Sequence, residues 1–130
     1  MATTVEKQPV FVFGGNRLGI HGKGAALHAK LHHGAIQGQG EGRQGNSYSI
    51  PTKKTPWVRL SLPEVAEHVE AFKKYAREHP DDAFRVTAIG TGLAGFTVDQ
   101  IGPLFSDAPE NCILCDEFAP YRNQGSQNNA

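Results

Sequence analysis

Two glycine-rich turns, each leading from a predicted strand into a predicted helix, are the features of this chain best suited to chemistry. The first spans residues 14–24 and the second spans residues 90–96. Glycine lets backbone N–H groups point into a cavity because no Cβ intervenes. The N-terminus of the following helix adds partial positive charge. The pair of turns therefore predicts a site for phosphate or another anion, although tight turns alone also use glycine.

Neither turn carries a standard nucleotide-binding motif. A phosphate loop would read Gly-x-x-x-x-Gly-Lys-Ser/Thr, but Ala25 stands after Gly24, where a magnesium-binding hydroxyl is needed. The first turn also lacks the Gly-x-Gly-x-x-Gly pattern with an acidic residue after the next strand. Nucleoside triphosphatase and dinucleotide dehydrogenase functions are therefore poor interpretations.

Histidines provide the other candidates for chemistry. His21 directly precedes Gly22 in the first turn. There it would donate a hydrogen bond or carry a proton at a phosphate or ribose, and a purely structural role in the loop is the equal alternative. His28 and His32 stand four residues apart on a predicted helix, at the spacing of metal ligands. No glutamate lies between them and no third ligand is evident, so we predict neither a metal site nor a cofactor.

The elements that must position the turns follow an α/β pattern. Strands are predicted at residues 10–13, 47–50 (ending at Pro51), 84–89 and 111–115. Helices are predicted at residues 25–32, from Leu62 to before His79 behind a Ser61–Glu64 capping box, and from a Thr97 cap. Residues 37–45 are predicted to be a loop and residues 52–59 a connector. This order predicts one three-layer α/β domain with a mainly parallel or mixed sheet.

Composition sets limits on the domain and its partners. We predict a flexible N-terminus at residues 1–8, a domain at 9–122 and a disordered tail at 123–130. Cys112 and Cys115 are predicted to be reduced thiols.

The N-terminus lacks the apolar core of a signal peptide and no run is apolar enough to span a membrane, so we expect a cytoplasmic protein. Trp57 and Tyr48 are expected to pack, although Trp57 would also reach a nucleobase.

The formal net charge of zero at pH 7 conceals an asymmetry. Residues 1–60 hold eight cationic against two acidic residues, a net of +6, whereas residues 61–130 hold five against eleven, a net of −6. Neutrality argues against bulk nucleic-acid binding. The positive half contains the first turn, Lys53 and Lys54, which fits a small anionic ligand.

Four motifs together resemble the macrodomain superfamily. They are His21-Gly22-Lys23-Gly24-Ala25-Ala26, Lys30-Leu31-His32-His33-Gly34, Tyr48-Ser49-Ile50-Pro51-Thr52-Lys53-Lys54 and Ile89-Gly90-Thr91-Gly92-Leu93. The resemblance covers about residues 10–105 and favours the branch of terminal ADP-ribose glycohydrolases, which act on glutamate-linked ADP-ribose. The chain also resembles a small phage-associated family with a Phe-Gly-x-Asn…His-Gly-x-Gly-Ala-Ala motif.

The resemblance implies a pocket for ADP-ribose or a related phosphorylated nucleotide, with Phe96 stacking on the ligand. With the turns, it predicts ligand contacts at Gly15, Asn16, Gly22, Lys23, Gly24, Gly90, Thr91, Gly92, Leu93, Ala94, Gly95 and Phe96. Lys53 matches the lysine of this branch that attacks the anomeric carbon. Such a lysine must be partly deprotonated, which burial or the neighbouring Lys54 favours.

Two departures from that pattern keep alternatives open. Ala94 stands where the branch has its catalytic aspartate, and Asp99 lies five residues further along. Residues 1–9 lack the aspartate that recognises adenine. One hypothesis is hydrolysis of an ADP-ribosyl linkage on an ADP-ribosylated protein, with Lys53 and His21 in the chemistry. Its rival is a phage-type protein that sequesters a nucleotide signal without catalysis, and a structural module is the third.

Overall fold

The central strand of the sheet pairs with a strand on each side and leads into the first glycine-rich turn. The computed structural model describes residues 7–123, so most of the predicted flexible N-terminus and of the predicted disordered tail lies outside the described residues. Six strands are present in this range: β1 (Val10–Asn16), β2 (Gly42–Gln44), β3 (Ser47–Thr55), β4 (Val58–Arg59), β5 (Phe84–Val86) and β6 (Cys112–Leu114). They form one sheet.

The strand order is β2-β3-β1-β5-β6, with β4 paired to β3 outside this path. Strand β1 is parallel to β3 and β5, and β5 is parallel to β6, whereas β2 and β4 are antiparallel to β3. The α-helices of the described chain are α1 (Gly24–His32), α2 (Leu62–Glu78) and α3 (Val98–Ile101). Short 3-10 helices follow at Gly102–Phe105 and Ala119–Tyr121. The predicted α/β fold with a mainly parallel, mixed sheet is confirmed.

Apolar residues of β1 supply both cores of the domain, because successive side chains of a strand point to opposite faces. Val10 and Val12 belong to the larger core, which includes the buried face of α2. Phe13 belongs to a smaller core with two alanines of α1, and Phe11 packs against it. Burial on both faces explains the continuous apolar run and produces three layers.

Helix α2 forms as the sequence predicts. The Ser61 hydroxyl accepts a hydrogen bond from the Glu64 backbone N–H, and the Glu64 carboxylate accepts one from the Ser61 N–H at 2.9 Å. The residues that this helix buries recur at helical spacing: Val65, Val69, Phe72, Lys73 and Ala76. Thr97 and Gln100 form a second capping box at the start of α3, as expected from the Thr97 cap.

The prediction that residues 37–45 form only a loop is wrong, because β2 pairs with β3 there. A single buried side chain, Gln44, fixes this segment. Its Oε1 accepts from the Ile36 N–H at 2.7 Å, and its Nε2 donates to the carbonyls of Gln39 and Gly42. These contacts lie within nine residues, but glycine is depleted in strands, so the run of glycines does not reveal the strand.

The prediction that the second strand ends at Pro51 is also wrong, since β3 continues to Thr55. Proline lacks an N–H donor and is tolerated where the sheet needs none. Pro51 lies opposite Gly15 of β1, next to a register shift, and the pairing of β2 stops opposite Ser49. The predicted connector at residues 52–59 is therefore the end of β3 followed by a hairpin to β4.

The third predicted strand is shorter than expected, because β5 ends at Val86 instead of residue 89. The N–H and the hydroxyl of Thr87 both donate to the Val12 carbonyl, and the Ile89 N–H donates to the Thr87 carbonyl. The last of these bonds spans two residues and bends the backbone away from the sheet. Residues 87–89 thereby lead into the second glycine-rich turn.

A buried ammonium group ties α2 to the 3-10 helix that follows α3. The Lys73 side chain is 3% exposed, and its Nζ contacts Glu70 Oε1 at 2.7 Å, Asp107 Oδ1 at 2.5 Å and the Leu104 carbonyl at 2.8 Å. The hydrogen bond from Lys73 holds the pKa of Asp107 below its usual value. The stability from this pair is therefore present above the unfolded-state pKa of aspartate and is lost as pH falls through the folded-state value.

We predict that Asp107→Asn lowers the melting temperature at pH 7 by roughly a few degrees. The deficit should disappear on acidification, because the wild-type carboxylate then also becomes neutral. Melting temperatures from pH 7 to pH 2 measure this. Asp81→Asn at an exposed position is the control for the charge change. A deficit that stays constant down to pH 2 would contradict the proposed linkage.

Candidate functional site

A cavity of about 530 Å³ opens at the carboxyl ends of the parallel strands β1, β3 and β5. This edge of an open α/β sheet is where ligands commonly bind, and the volume suits a small molecule. Residues from both glycine-rich turns line the cavity, and the hairpin between β3 and β4 completes the wall. The structure thus brings together two turns that lie about seventy residues apart in the sequence.

Most of the predicted site residues lie at this cavity. Those that line it are Gly15, Asn16, Gly22, Lys23, Gly24, Lys53, Gly90, Gly92, Leu93 and Ala94. The predicted residues outside the lining are His21, Thr91, Gly95 and Phe96. The cavity contacts of the two turns therefore come from residues 14–26 and 87–94, with the second turn leaving the wall before Phe96.

His21 belongs to the first turn, but it is fully buried. Its ring packs edge-on against Phe13, with centroids 5.4 Å apart, and its Nε2 lies 3.2 Å from Gln44 Oε1. An amide oxygen only accepts, so Nε2 carries the proton. The Nδ1 atom has no hydrogen-bond partner among the described residues. Of the two interpretations of His21, its placement favours the structural role.

Phe96 packs in the larger core, with 5% of its surface exposed. The Arg59 guanidinium lies over its ring, 4.4 Å from the centroid, and donates to the Gly95 carbonyl at 3.3 Å. Phe96 is therefore not positioned to stack on a ligand in the cavity. Instead, these contacts attach the second turn to strand β4.

The Asn16 side chain fixes the first turn. Its amide nitrogen donates to the Ile20 carbonyl at 2.9 Å, and its amide oxygen accepts from the Ile20 N–H at 3.1 Å. Only 4% of the residue is exposed. Asn16 thus lines the cavity while both ends of its amide are engaged with the loop.

Positive charge without a neighbouring carboxylate characterises the cavity. Lys23 and Lys53 are the charged side chains among the described residues that line it. The Lys53 Nζ donates to the Pro56 carbonyl at 2.9 Å, which leaves two of its three protons for another acceptor. Asp99 is exposed and accepts a hydrogen bond from the Tyr121 hydroxyl, outside the lining. The site therefore favours an anionic ligand.

The N-terminus of α1 adds to this positive potential. Lys23 is the N-cap residue, its side chain makes no capping hydrogen bond, and the first turn of α1 contains no acidic residue. Residues 24–26 line the cavity. The Lys23 carbonyl accepts a hydrogen bond from the Leu27 N–H, so the regular helical bonding begins after residue 26. The N–H groups at the start of the helix therefore have no acceptor within the helix, and such groups are potential donors to an anion.

Glycines, which have no side chain, leave space in the cavity. A Cβ added at Gly22 or Gly92 would meet no atom within 4 Å, so these positions face free space. Gly14 has a different role, because its Cβ would lie 3.3 Å from the Gly90 nitrogen, where β1 approaches the second turn. Glycine at these positions allows a ligand to approach the backbone closely.

Histidines and cysteines outside the cavity form no evident catalytic group. The Nε2 atoms of His28 and His33 lie 3.3 Å apart near the end of α1. Partial burial, followed by the charges of His28 and His32, lowers the pKa of His33. No cluster of three or more potential metal ligands is found among residues 7–123. Cys112 and Cys115 are free, and burial raises the pKa of Cys112 to about 11.

The hairpin is the part of the site that sequence reasoning missed. Pro56 and Trp57 form its turn and line the cavity, and Trp57 is 86% exposed instead of packed. The alternative expectation that Trp57 lies within reach of a ligand agrees with this placement. The lone tryptophan after proline is a signal that the sequence contains, but its position beside the cavity depends on the unpredicted continuation of β3.

Comparisons of the chain with protein-family models, with curated proteins and with solved structures found no match. Within the described part of the chain, no helix has the length and apolar character required to cross a membrane. The cavity and its lining are therefore the basis for a functional hypothesis.

We predict that alanine substitution destabilises the protein at one glycine of the second turn and not at another. Gly90 has φ +76°, and an added Cβ would contact Ile101 at 3.3 Å, so Gly90→Ala should cost about 1–2 kcal/mol of unfolding free energy. Gly92→Ala meets open space without a left-handed φ and should change the value by less than about 0.5 kcal/mol. Urea unfolding of both variants measures the difference. Equal destabilisation would contradict this account of the turn.

Proposed function

We propose that this protein is macrodomain-like and binds ADP-ribose or a related phosphorylated nucleotide. The observation that carries the proposal is the convergence of Lys23, Lys53 and the uncapped start of α1 on one cavity, whose described lining contains no carboxylate. Such a lining attracts a small polyanion and would repel a cationic ligand. The motif resemblance supplies the ligand class.

We place the diphosphate of such a ligand in the interior of the cavity. The free N–H groups of residues 24–26 lie on one side, and the second turn, with Gly92 facing open space, lies on another. Lys53 adds a partly buried ammonium whose two remaining protons would form charge-assisted hydrogen bonds with phosphate or ribose oxygens. We assign Lys53 to ligand binding.

The cavity favours binding without hydrolysis. Attack by a lysine on an anomeric carbon requires a partner group that moves the proton. Ala94 occupies the position of the aspartate in the resembled branch, Asp99 is bonded to Tyr121, and His21 is buried outside the lining. The other ionisable side chain among the described lining residues is Lys23, and an ammonium has no lone pair with which to accept a proton. We therefore propose a nucleotide-sequestering protein, of the kind a phage would use against host signalling.

We predict that Lys53→Ala weakens ADP-ribose binding about 10- to 150-fold, because a hydrogen bond to a charged group is worth roughly 1.5–3 kcal/mol. Lys54→Ala removes an equal charge from the neighbouring exposed residue outside the cavity and should change binding by less than about twofold, since a surface charge is screened. Isothermal calorimetry with ADP-ribose measures both. Equal losses of affinity in the two variants would mean that Lys53 contributes only through its net positive charge.

Turnover and melting experiments distinguish the possible functions. ADP-ribose should raise the melting temperature of the unmodified protein, because a ligand that binds only the folded state stabilises that state. It should release no ADP-ribose from a glutamate-linked ADP-ribosyl peptide. Release that disappears in Lys53→Ala would establish hydrolysis instead. No thermal shift with millimolar ADP-ribose or related nucleotides would leave the glycines as structural turns and reject the binding proposal.

A further inference from the structure

Trp57 is the most exposed of the large hydrophobic side chains in the described part of the chain, at 86%. It also lines the cavity. An indole is a large apolar surface, and leaving it in water forgoes the stabilisation that burial provides. Its position at the rim of a cationic cavity points to a ligand that covers it.

The backbone that carries this indole is well anchored. The Trp57 N–H donates to the Thr55 hydroxyl at 3.1 Å, and the preceding Pro56 carbonyl accepts from Lys53 Nζ at 2.9 Å. Pairing of Thr55 with Val58 closes the hairpin. The turn thus holds an exposed aromatic ring on a fixed base, so a ligand would lose little backbone entropy by stacking on it.

Two further apolar side chains lie at the same cavity. Leu93 of the second turn is 66% exposed and Ile20 of the first turn is 38% exposed. Exposed apolar side chains from three separate loops therefore meet around an interior of glycines and lysines. This division matches a ligand with a flat ring at one end and phosphates at the other.

The polar side chains of the cavity leave little with which to recognise the edge of a base. The Asn16 amide is bonded to Ile20 at both ends. The Thr52 hydroxyl donates to the Gly15 carbonyl at 3.4 Å, and the Thr87 hydroxyl donates to the Val12 carbonyl at 2.7 Å. Stacking on an aromatic ring needs no such recognition, because every base has a π-face.

We infer that Trp57 forms the platform of a nucleobase subsite, on which the base of the ligand stacks while its phosphates occupy the glycine-lined interior. This inference rests on the proposed function and assigns the base end of the ligand. The subsite holds a base by stacking and does not select adenine over guanine.

Trp57 is the sole tryptophan of the chain, so intrinsic tryptophan fluorescence reports on this subsite alone. Titration with ADP-ribose and with its guanine counterpart should change that fluorescence to a similar extent and with similar affinity. Inorganic pyrophosphate, which has no base, should raise the melting temperature with little change in fluorescence. Fluorescence that responds equally to pyrophosphate would overturn the subsite.

We predict that Trp57→Ala weakens ADP-ribose binding at least about fivefold in calorimetry, and that Trp57→Phe recovers most of the loss because its ring also stacks. Val58→Ala is the matched control, since Val58 is exposed on the same hairpin but does not line the cavity. The stabilisation by pyrophosphate should be the same in Trp57→Ala and in the unmodified protein. The pyrophosphate measurement separates the two causes of a weaker affinity. Loss of stacking leaves the stabilisation by pyrophosphate unchanged, whereas a distorted turn at Lys53 reduces it.

The outcomes separate this inference from the proposed function. Unchanged ADP-ribose affinity in Trp57→Ala overturns the subsite and leaves nucleotide binding in place. An equal loss for ADP-ribose and pyrophosphate also overturns it, because Trp57 would then act through Lys53. A strong preference for adenine over guanine overturns the stacking-only interpretation. If the unmodified protein binds neither ligand, the proposed function and the subsite both fail.

Discussion

The rest of the structure depends on the burial of β1 on both faces. This strand ends at the cavity. Val12 and Phe13 fill opposite cores, whereas Gly14 and Gly15 carry no side chain. A Cβ at Gly15 would lie 2.4 Å from Ser49 Oγ, so larger residues do not fit between β1 and β3. The strand therefore changes within two residues from a core element to a wall of the site.

Electrostatic pairing elsewhere leaves the cavity positive. The cations of the first half of the chain are not all free, because Arg17 contacts Glu64 and Arg43 contacts Asp82. The hydrogen bond from Lys7 is the main cause that lowers the pKa of Asp82. These acidic groups are held away from the cavity, where lysines remain. The charge asymmetry of the sequence thus becomes a local field because the fold chooses which charges pair.

Local chemistry explains which predictions hold. The Ser61 capping box and the helical spacing behind it specify α2 by contacts within a few residues, so they are visible in the sequence. Strand β2 and the hairpin at Trp57 pair with β3 across short turns, but β3 itself is held past Pro51 by its pairing with β1, more than thirty residues earlier in the chain. The same distinction applies to His21 and Phe96, which have the right residue types for a site but face buried neighbours.

By itself the sequence determined the α/β class and the two glycine-rich turns, because periodicity, caps and glycine content are properties of neighbouring residues. The tertiary structure decided that the turns meet at one cavity, that Trp57 stands exposed at its rim and that no carboxylate from the described chain enters it. Those outcomes depend on sheet order and on the continuation of β3 past Pro51. Both are set by packing between distant segments, which no local pattern records.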